Sequence, residues 1–344
     1  MNKVFNKQRL TVARDHLVHV LPRLEVSGCY AFALTLIRNL KNYSHTVLYE
    51  NDLLSMNPDY VWHLQAAGAS VLNVDLITPE TVEQARATGA ILYNVREHPG
   101  IGDVLPTIYY SYGDYDSTPG SSVVVPCSRF ASRTLRDGTA VELDEELIVP
   151  PAIIARGLRA IESKQHAFTV GVLTSGAYNK YPGAITVKLL SLLPKGLRMM
   201  LTVLPRYDHP GMALAVDSRA ETEEILLCPA RPNMGIHYLL ECDVLICASS
   251  EKHHEPYGRM AVEAMAMGKT VICENRGVYP QLVEHGVNGF LYDSPEDILG
   301  YINKIDTDKS ILNRIGVNAR MRAGWEDVTV HTGKIKRVLR MIGV

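Results

Sequence analysis

Short apolar runs alternating with helix-like stretches constrain this chain more than any other feature. Runs at 17–22, 46–49, 70–74, 90–95, 107–112 and 122–126 have the length and composition of buried strands. Between them lie helical patterns. The stretch 29–41 carries an apolar stripe of Ala33, Leu34, Ile37 and Leu40. The stretch 58–67 contains Trp62, 79–88 opens on proline, and Ser128 stands where it can cap a helix running to 135. Strands separated by helices argue for a parallel, doubly wound α/β sheet. Ligands of such sheets bind beyond the carboxyl ends of the strands. That rule points to Ser27-Gly28, Arg96-Glu97-His98 and Tyr112-Gly113-Asp114.

The alternation then starts again. Val149-Pro150-Pro151 reads as a stiff linker. Strand-like runs follow at 168–173, 199–204, 224–227, 244–248 and 270–273, with helices at 183–193 and near 280–285. The chain ends in helical segments, with Trp325 before a basic final helix. At 344 residues there is room for two domains, placed at 1–150 and 151–325. The net charge of −2 does not call for nucleic acid as a partner. Six scattered cysteines without a C-x-x-C pair read as reduced, buried thiols of a cytoplasmic protein. No apolar stretch is long enough to span a bilayer. The N-terminal 1–14 reads as a frayed tail, with weak peripheral contact to anionic lipid through Lys3, Lys7, Arg9 and Arg14 as the alternative.

The densest cluster of chemistry is Glu255-Pro256-Tyr257-Gly258-Arg259-Met260-Ala261-Val262-Glu263-Ala264-Met265-Ala266-Met267-Gly268. Proline suits a first helical turn, Ala and Met propagate a helix, and Gly268 suits its C′ position. A helix opening near Pro256 would present unpaired N–H groups and a positive dipole end. Gly258 would let a ligand approach the backbone. A carboxylate at that mouth can hold sugar hydroxyls, and one on the helix a ribose diol. Two glutamates at this spacing on a solvated helix face are the bland alternative.

This stretch resembles the E-x7-E motif of family 4 glycosyltransferases, retaining enzymes of GT-B fold. Asn275-Arg276-Gly277 and Gly286-Val287-Asn288-Gly289-Phe290-Leu291 match the same pattern. The resemblance implies two Rossmann-like domains facing across a cleft, the N-terminal one for the acceptor and the C-terminal one for a nucleotide-sugar donor. It further implies that the last helix, 326–344, crosses back to the N-terminal domain. The implied reaction moves a sugar, of hexosyltransferase type, from a nucleotide-sugar to a glycan, lipid-linked or small-molecule acceptor, with no cofactor and no metal. Glu255 then orients the sugar and stabilises charge, and Glu263 holds the ribose. Lys180 holds the diphosphate, while Gly28 lies in a loop between donor and acceptor. Tyr257, Gly258, Arg259 and Met260 go with the donor site, and His98 corresponds to a histidine that reaches the donor sugar.

The chain departs from the family at Val172, where an arginine usually follows Gly171, at Gln281 in place of glutamate, and at Tyr112-Gly113 in place of His-Gly. One diphosphate contact is then either missing or supplied by Ser175, Asn179 or Arg259. A same-fold epimerase or phosphorylase, or a catalytically silent partner subunit, are the alternatives. Gly268-Lys269-Thr270 is no phosphate loop, because Glu263 stands at the required first glycine. Gly100-Ile101-Gly102 lacks the third glycine of a dinucleotide fingerprint.

Overall fold

The structure, a computed structural model, describes residues 15–21, 24, 27–50, 58–93, 100–112, 123–136, 145–151, 153, 167–173, 183–192, 194, 197–203, 225–229, 234–251 and 253–344. The first sheet is built from β1 (His16–Leu21), β2 (Ser44–Glu50), β3 (Ala69–Val74), β4 (Gly89–Tyr93), β5 (Thr107–Ser111) and β6 (Val123–Pro126). Its order is β3-β2-β1-β4-β5-β6, and every pair is parallel. The second sheet contains β7 (Thr169–Val172), β8 (Arg198–Val203), β9 (Ile225–Pro229), β10 (Val244–Cys247), β11 (Thr270–Glu274) and β12 (Phe290–Tyr292). Its order, β12-β11-β10-β7-β8-β9, is again parallel throughout. Counted from its own first strand, the second sheet repeats the order of the first.

Each sheet is covered by helices. In the first half these are α1 (Gly28–Asn39), α2 (Pro58–Ala66), α3 (Pro79–Gln84), α4 (Ile101–Val104) and α5 (Arg129–Arg136). The second half has α6 (Gly183–Leu192), α7 (Met234–Glu241), α8 (Arg259–Ala266), α9 (Tyr279–Leu282), α10 (Pro295–Thr307) and α11 (Ser310–Ala323), and α12 (Val328–Met341) closes the chain. Central strands such as β4, β5 and β10 are buried along their whole length, as parallel strands between two helical layers must be. Their sequences, GAILY, TIYYS and VLIC, are therefore apolar runs without polar alternation.

Helix boundaries differ from the sequence reading at three places, one being the helix near 280–285, which ends at Leu282. The helix opened by Pro79 stops at Gln84 instead of 88, and Arg86 turns the chain with φ 50. The helix expected to open near Pro256 starts at Arg259. Gly258 precedes it in the left-handed conformation, φ 73, which a chain already in helix at Pro256 could not reach. Ser128, in contrast, accepts a hydrogen bond from Ala131 N at 3.0 Å, as its position suggests.

The chain passes between the halves twice, and the two passages touch. Ile153 N donates to Glu326 O at 3.1 Å, and Val328 N to Ile153 O at 2.8 Å. α12 then packs on α1 of the first half, where Lys334 Nζ donates to Ile148 O at 3.1 Å. The carboxyl edges of the two sheets face each other across a cleft.

Candidate functional site

In both sheets the strand order reverses next to the first strand, between β1 and β4 and between β7 and β10. Such a switch point leaves a crevice beyond the carboxyl ends of the strands. The segment after β10 runs from Ala248 into α8 and contains Glu255. Gly28 opens α1, whose N-cap Ser27 accepts from Tyr30 N. His98, after β4, and Lys180, between β7 and α6, lie outside the described residues, as do Arg96, Glu97, Gly113, Asp114, Ser175, Asn179 and the basic N-terminal stretch.

Glu255 is held by its own turn. Its Oε1 accepts from Gly258 N at 3.0 Å and from Tyr257 N at 3.4 Å, so the carboxylate caps the approach to α8. Oε2 lies 3.6 Å from Nε2 of the buried His253. The backbone is fixed from behind, because Val278 N donates to Glu255 O at 2.9 Å. Gly277, φ 61, makes that contact possible. A Cβ on it would stand 2.7 Å from Glu255 O and 3.0 Å from Glu255 N. The Asn275-Arg276-Gly277 run thus acts on the site through its packing. Arg276 Nε donates to the buried Glu274 carboxylate at 2.9 Å. Its other nitrogens reach the carbonyls of Ser249, Ser250 and Glu251. Glu274 also accepts from the Ser249 hydroxyl. These bonds tie the turn after β11 to the loop after β10.

Glu263 is not a solvated helix carboxylate: it is only 8% exposed. Arg259, one helical turn earlier, binds it through Nε at 2.8 Å. A guanidinium held this way stands at the N-terminus of α8, where the helix dipole also favours an anion. Gly258 has a packing reason to be glycine besides its positive φ. A Cβ there would meet Tyr279 Cε1 at 2.9 Å and Leu282 Cδ1 at 3.2 Å, so protein side chains fill that side. Met260 lies on the first turn of α8, partly buried against the core and over Gly235.

The first half meets this loop directly. The Cys127 thiol donates to Pro256 O at 3.5 Å. Burial, and after it the charge of Glu255, pushes this thiol up, which keeps it protonated. His254 lies over Phe130 of α5, ring centroids 6.2 Å apart. Tyr112 follows β5, and a Cβ on Gly28 would rest on its ring at 3.6 Å. The hydroxyls of Tyr112 and Tyr257 are buried, with no hydrogen-bond partner among the described residues. Burial pushes both phenols up, so at neutral pH each is a donor. Cys127 and Glu274 are within sequence runs that gave no separate signal for this geometry, since their contacts join residues far apart in the chain.

Chemically, the site offers carboxylates for hydroxyls and a fixed guanidinium for a phosphate group, with buried, protonated phenols behind them. Among the described residues no group of three or more His, Cys, Asp or Glu side chains could hold a metal ion. No described helix is long and apolar enough to cross a membrane.

Residues 227–322 match the family described as glycosyl transferases group 1. Spore coat protein SA of Bacillus subtilis (strain 168) is 33% identical over 93 residues, covering 25% of this chain and 24% of that protein. A glycogen synthase of Mycobacterium tuberculosis is 25% identical over 162 residues, 41% of this chain and 39% of that protein. The matched stretches therefore span well under half of these relatives. Over nearly the whole chain, the similarity is one of structure. A crystal structure of Anabaena Alr3699/HepE in complex with UDP and glucose superposes with TM-score 0.76 at 17% identity, covering 95% of this chain and 100% of that one. The fold is GT-B.

Proposed function

We propose that this chain is a retaining glycosyltransferase of family 4 type that moves a sugar from a nucleotide-sugar to an acceptor. The observation that carries the reading is the mouth of α8. Two anchored carboxylates, Glu255 before the helix and Glu263 within it, flank an arginine fixed by one of them. In this reading Glu263 accepts from the ribose diol. Arg259 and Lys180 face the diphosphate, and the leaving charge builds up at the positive end of α8. Glu255 presents its outer oxygen to the transferred sugar. Tyr257, Gly258 and Met260 shape the donor pocket around them.

The donor then lies on the second half, residues 151–325. The first half, 1–150 with the crossing helix 326–344, holds the acceptor near Gly28 and His98. Closure of the halves excludes water and so protects the donor from hydrolysis. The reaction as read needs no metal, and the setting is cytoplasmic.

Uridine nucleotides are the first donors to test, because HepE was solved with UDP and with UDP-glucose. Thermal-shift measurement with UDP-, GDP-, ADP- and dTDP-sugars should show one that raises the melting temperature, since a ligand bound to the native state alone stabilises it. The anomer of the product, followed by NMR, then tests retention. Absence of any stabilising nucleotide-sugar, or an inverted product, would overturn the reading.

A further inference from the structure

One surface of the second half plays no part in the chemistry above. Val317, Met321 and Trp325 are 60%, 69% and 71% exposed. Their four-residue spacing places them in one row along α11 and the 3-10 turn Gly324–Glu326 that continues it. The other face of α11 is well buried through Ile311, Ile315, Ala319 and Ala323, so the row is not a displaced core face. Scattered exposed apolar residues are ordinary, but an ordered row on one helix is a surface feature.

Charge decides what such a row fits. Across Ser310–Ala323 stand Arg314, Arg320 and Arg322 and no acidic residue. The flanking acids are Asp308 before the helix and the buried Glu326 and Asp327 after it, and Glu326 pairs with Arg322 at 2.9 Å. Beside the row this leaves Arg314 and Arg320 as cations not paired with an acid among the described residues, in a chain whose net charge is −2. Arg314 and Arg320 hydrogen-bond to backbone carbonyls, Gly286 O at 3.1 Å and Met267 O at 3.3 Å, which leaves their charge in place. Arg322 lies 5.3 Å from the centre of the Trp325 ring. Apolar side chains in a row, an indole at one end and arginines beside them suit the headgroup region of an anionic bilayer. A protein partner would use the apolar row without needing the cations, and a nucleic acid the cations without the row.

We propose that the α11 face docks this protein on an anionic lipid surface, with Val317, Met321 and Trp325 entering the headgroup layer. The proposal is independent of the transfer reaction and needs no activity to test. The chain has two tryptophans, so Trp62→Phe leaves Trp325 as the single indole. Vesicles of phosphatidylcholine alone, or mixed with phosphatidylglycerol, are then added. The expected result is a blue shift and protection from acrylamide on the anionic vesicles only, reversed by salt. The pair Val317→Glu and Met321→Glu should weaken vesicle binding at least about tenfold, with an unchanged melting temperature. Four results would overturn the proposal. One is no shift on anionic vesicles, and a second is undiminished binding by the glutamate pair. Another is an equal shift on single-stranded DNA, which would make the face a general polyanion site. The fourth is burial of Trp325 in a lipid-free dimer seen by sedimentation, which would make a second copy the occupant.

Discussion

The two sheets share a strand order, yet the loops at their facing edges are held differently. On the second half the loop after β10 is bound on every side. Glu255 caps its own turn, Gly277 and Val278 hold its backbone, Arg276 ties it to Glu274, and Arg259 grips Glu263. On the first half, the described contacts at the cleft are mostly aromatic and thiol, from Tyr112, Cys127 and Phe130. A site for one recurrent, charged ligand gains from preorganised polar groups, because they need not reorganise when charge develops. A surface for a variable acceptor gains from apolar shape with a few donors. The contrast matches the proposed division between donor and acceptor halves.

The strongest test of the rigid side is Gly277→Ala. The substitution meets a positive φ and a Cβ position 2.7 Å from a backbone oxygen that cannot move aside. A loss of about 2–5 kcal/mol is expected from the strain and overlap together. Urea unfolding would measure it. A neutral result would mean that the turn after β11 does not hold the Glu255 loop.

Next comes Glu255→Gln. Glutamine keeps an oxygen to accept from Gly258 N, so the cap and the fold should survive. Transfer should fall by about 10²-fold or more, as when a transition-state stabiliser is removed. Nucleotide affinity should stay nearly unchanged. If affinity collapsed while saturated enzyme still turned over at the wild-type rate, the two glutamates would have to exchange roles.

Glu263→Ala separates the same pair from the other side. Loss of hydrogen bonds from a ribose to a charged acceptor should weaken nucleotide binding by about 1.5–3 kcal/mol. Arg259 would also be released, so Glu263→Gln serves as the partner variant that keeps a hydrogen-bond acceptor. Calorimetry with the nucleoside diphosphate reads both. Unaltered affinity in both variants would remove Glu263 from the donor site.

The repeated strand–helix alternation was legible because a strand covered on both faces must be apolar throughout, and a helix between strands must carry a stripe; the strand order was not. Where the structure departs from that reading, a local rule was overridden by a distant contact. Pro256 has the chemistry of a first helical turn, but its carbonyl is engaged by Cys127 from the other half. Gly258 reads as room for a ligand, yet Tyr279 and Leu282 occupy that space. The positions of Glu255, Gly258 and Glu263 around one helix mouth followed from their spacing. The means of holding them, through Glu274, Arg276 and Gly277, did not, since these contacts depend on how two loops from neighbouring strands come together.

The smallest expected effect concerns the cores of the two halves. The first sheet carries histidines on β1 and β2, and no strand of the second sheet contains one. His19 is fully buried and bonded at Nδ1 to Tyr93 Oη, 2.8 Å, and at Nε2 to His45 Nδ1, 3.0 Å. His45 Nε2 lies 3.1 Å from Leu40 O. A carbonyl can only accept, so His45 carries its proton on Nε2 and accepts at Nδ1. His19 must then donate from Nε2 and accept the Tyr93 proton at Nδ1. This arrangement requires both rings to be neutral. Burial lowers both, and the neighbouring imidazoles lower His19 further. In the unfolded chain each ring takes up a proton near pH 6.5, whereas the native rings resist. The unfolded state therefore binds more protons below that pH, and stability falls as pH falls. The slope is at most about 1.4 kcal/mol per pH unit for each ring, and vanishes above about pH 7.5 where both states are neutral. Hydrogen exchange at pH 7.5 and 5.5, corrected for intrinsic rates, should show β1, β2 and β4 losing protection while β10 and β11 change less. Equal loss in both sheets would mean that the imidazole chain does not set the acid sensitivity of the first half.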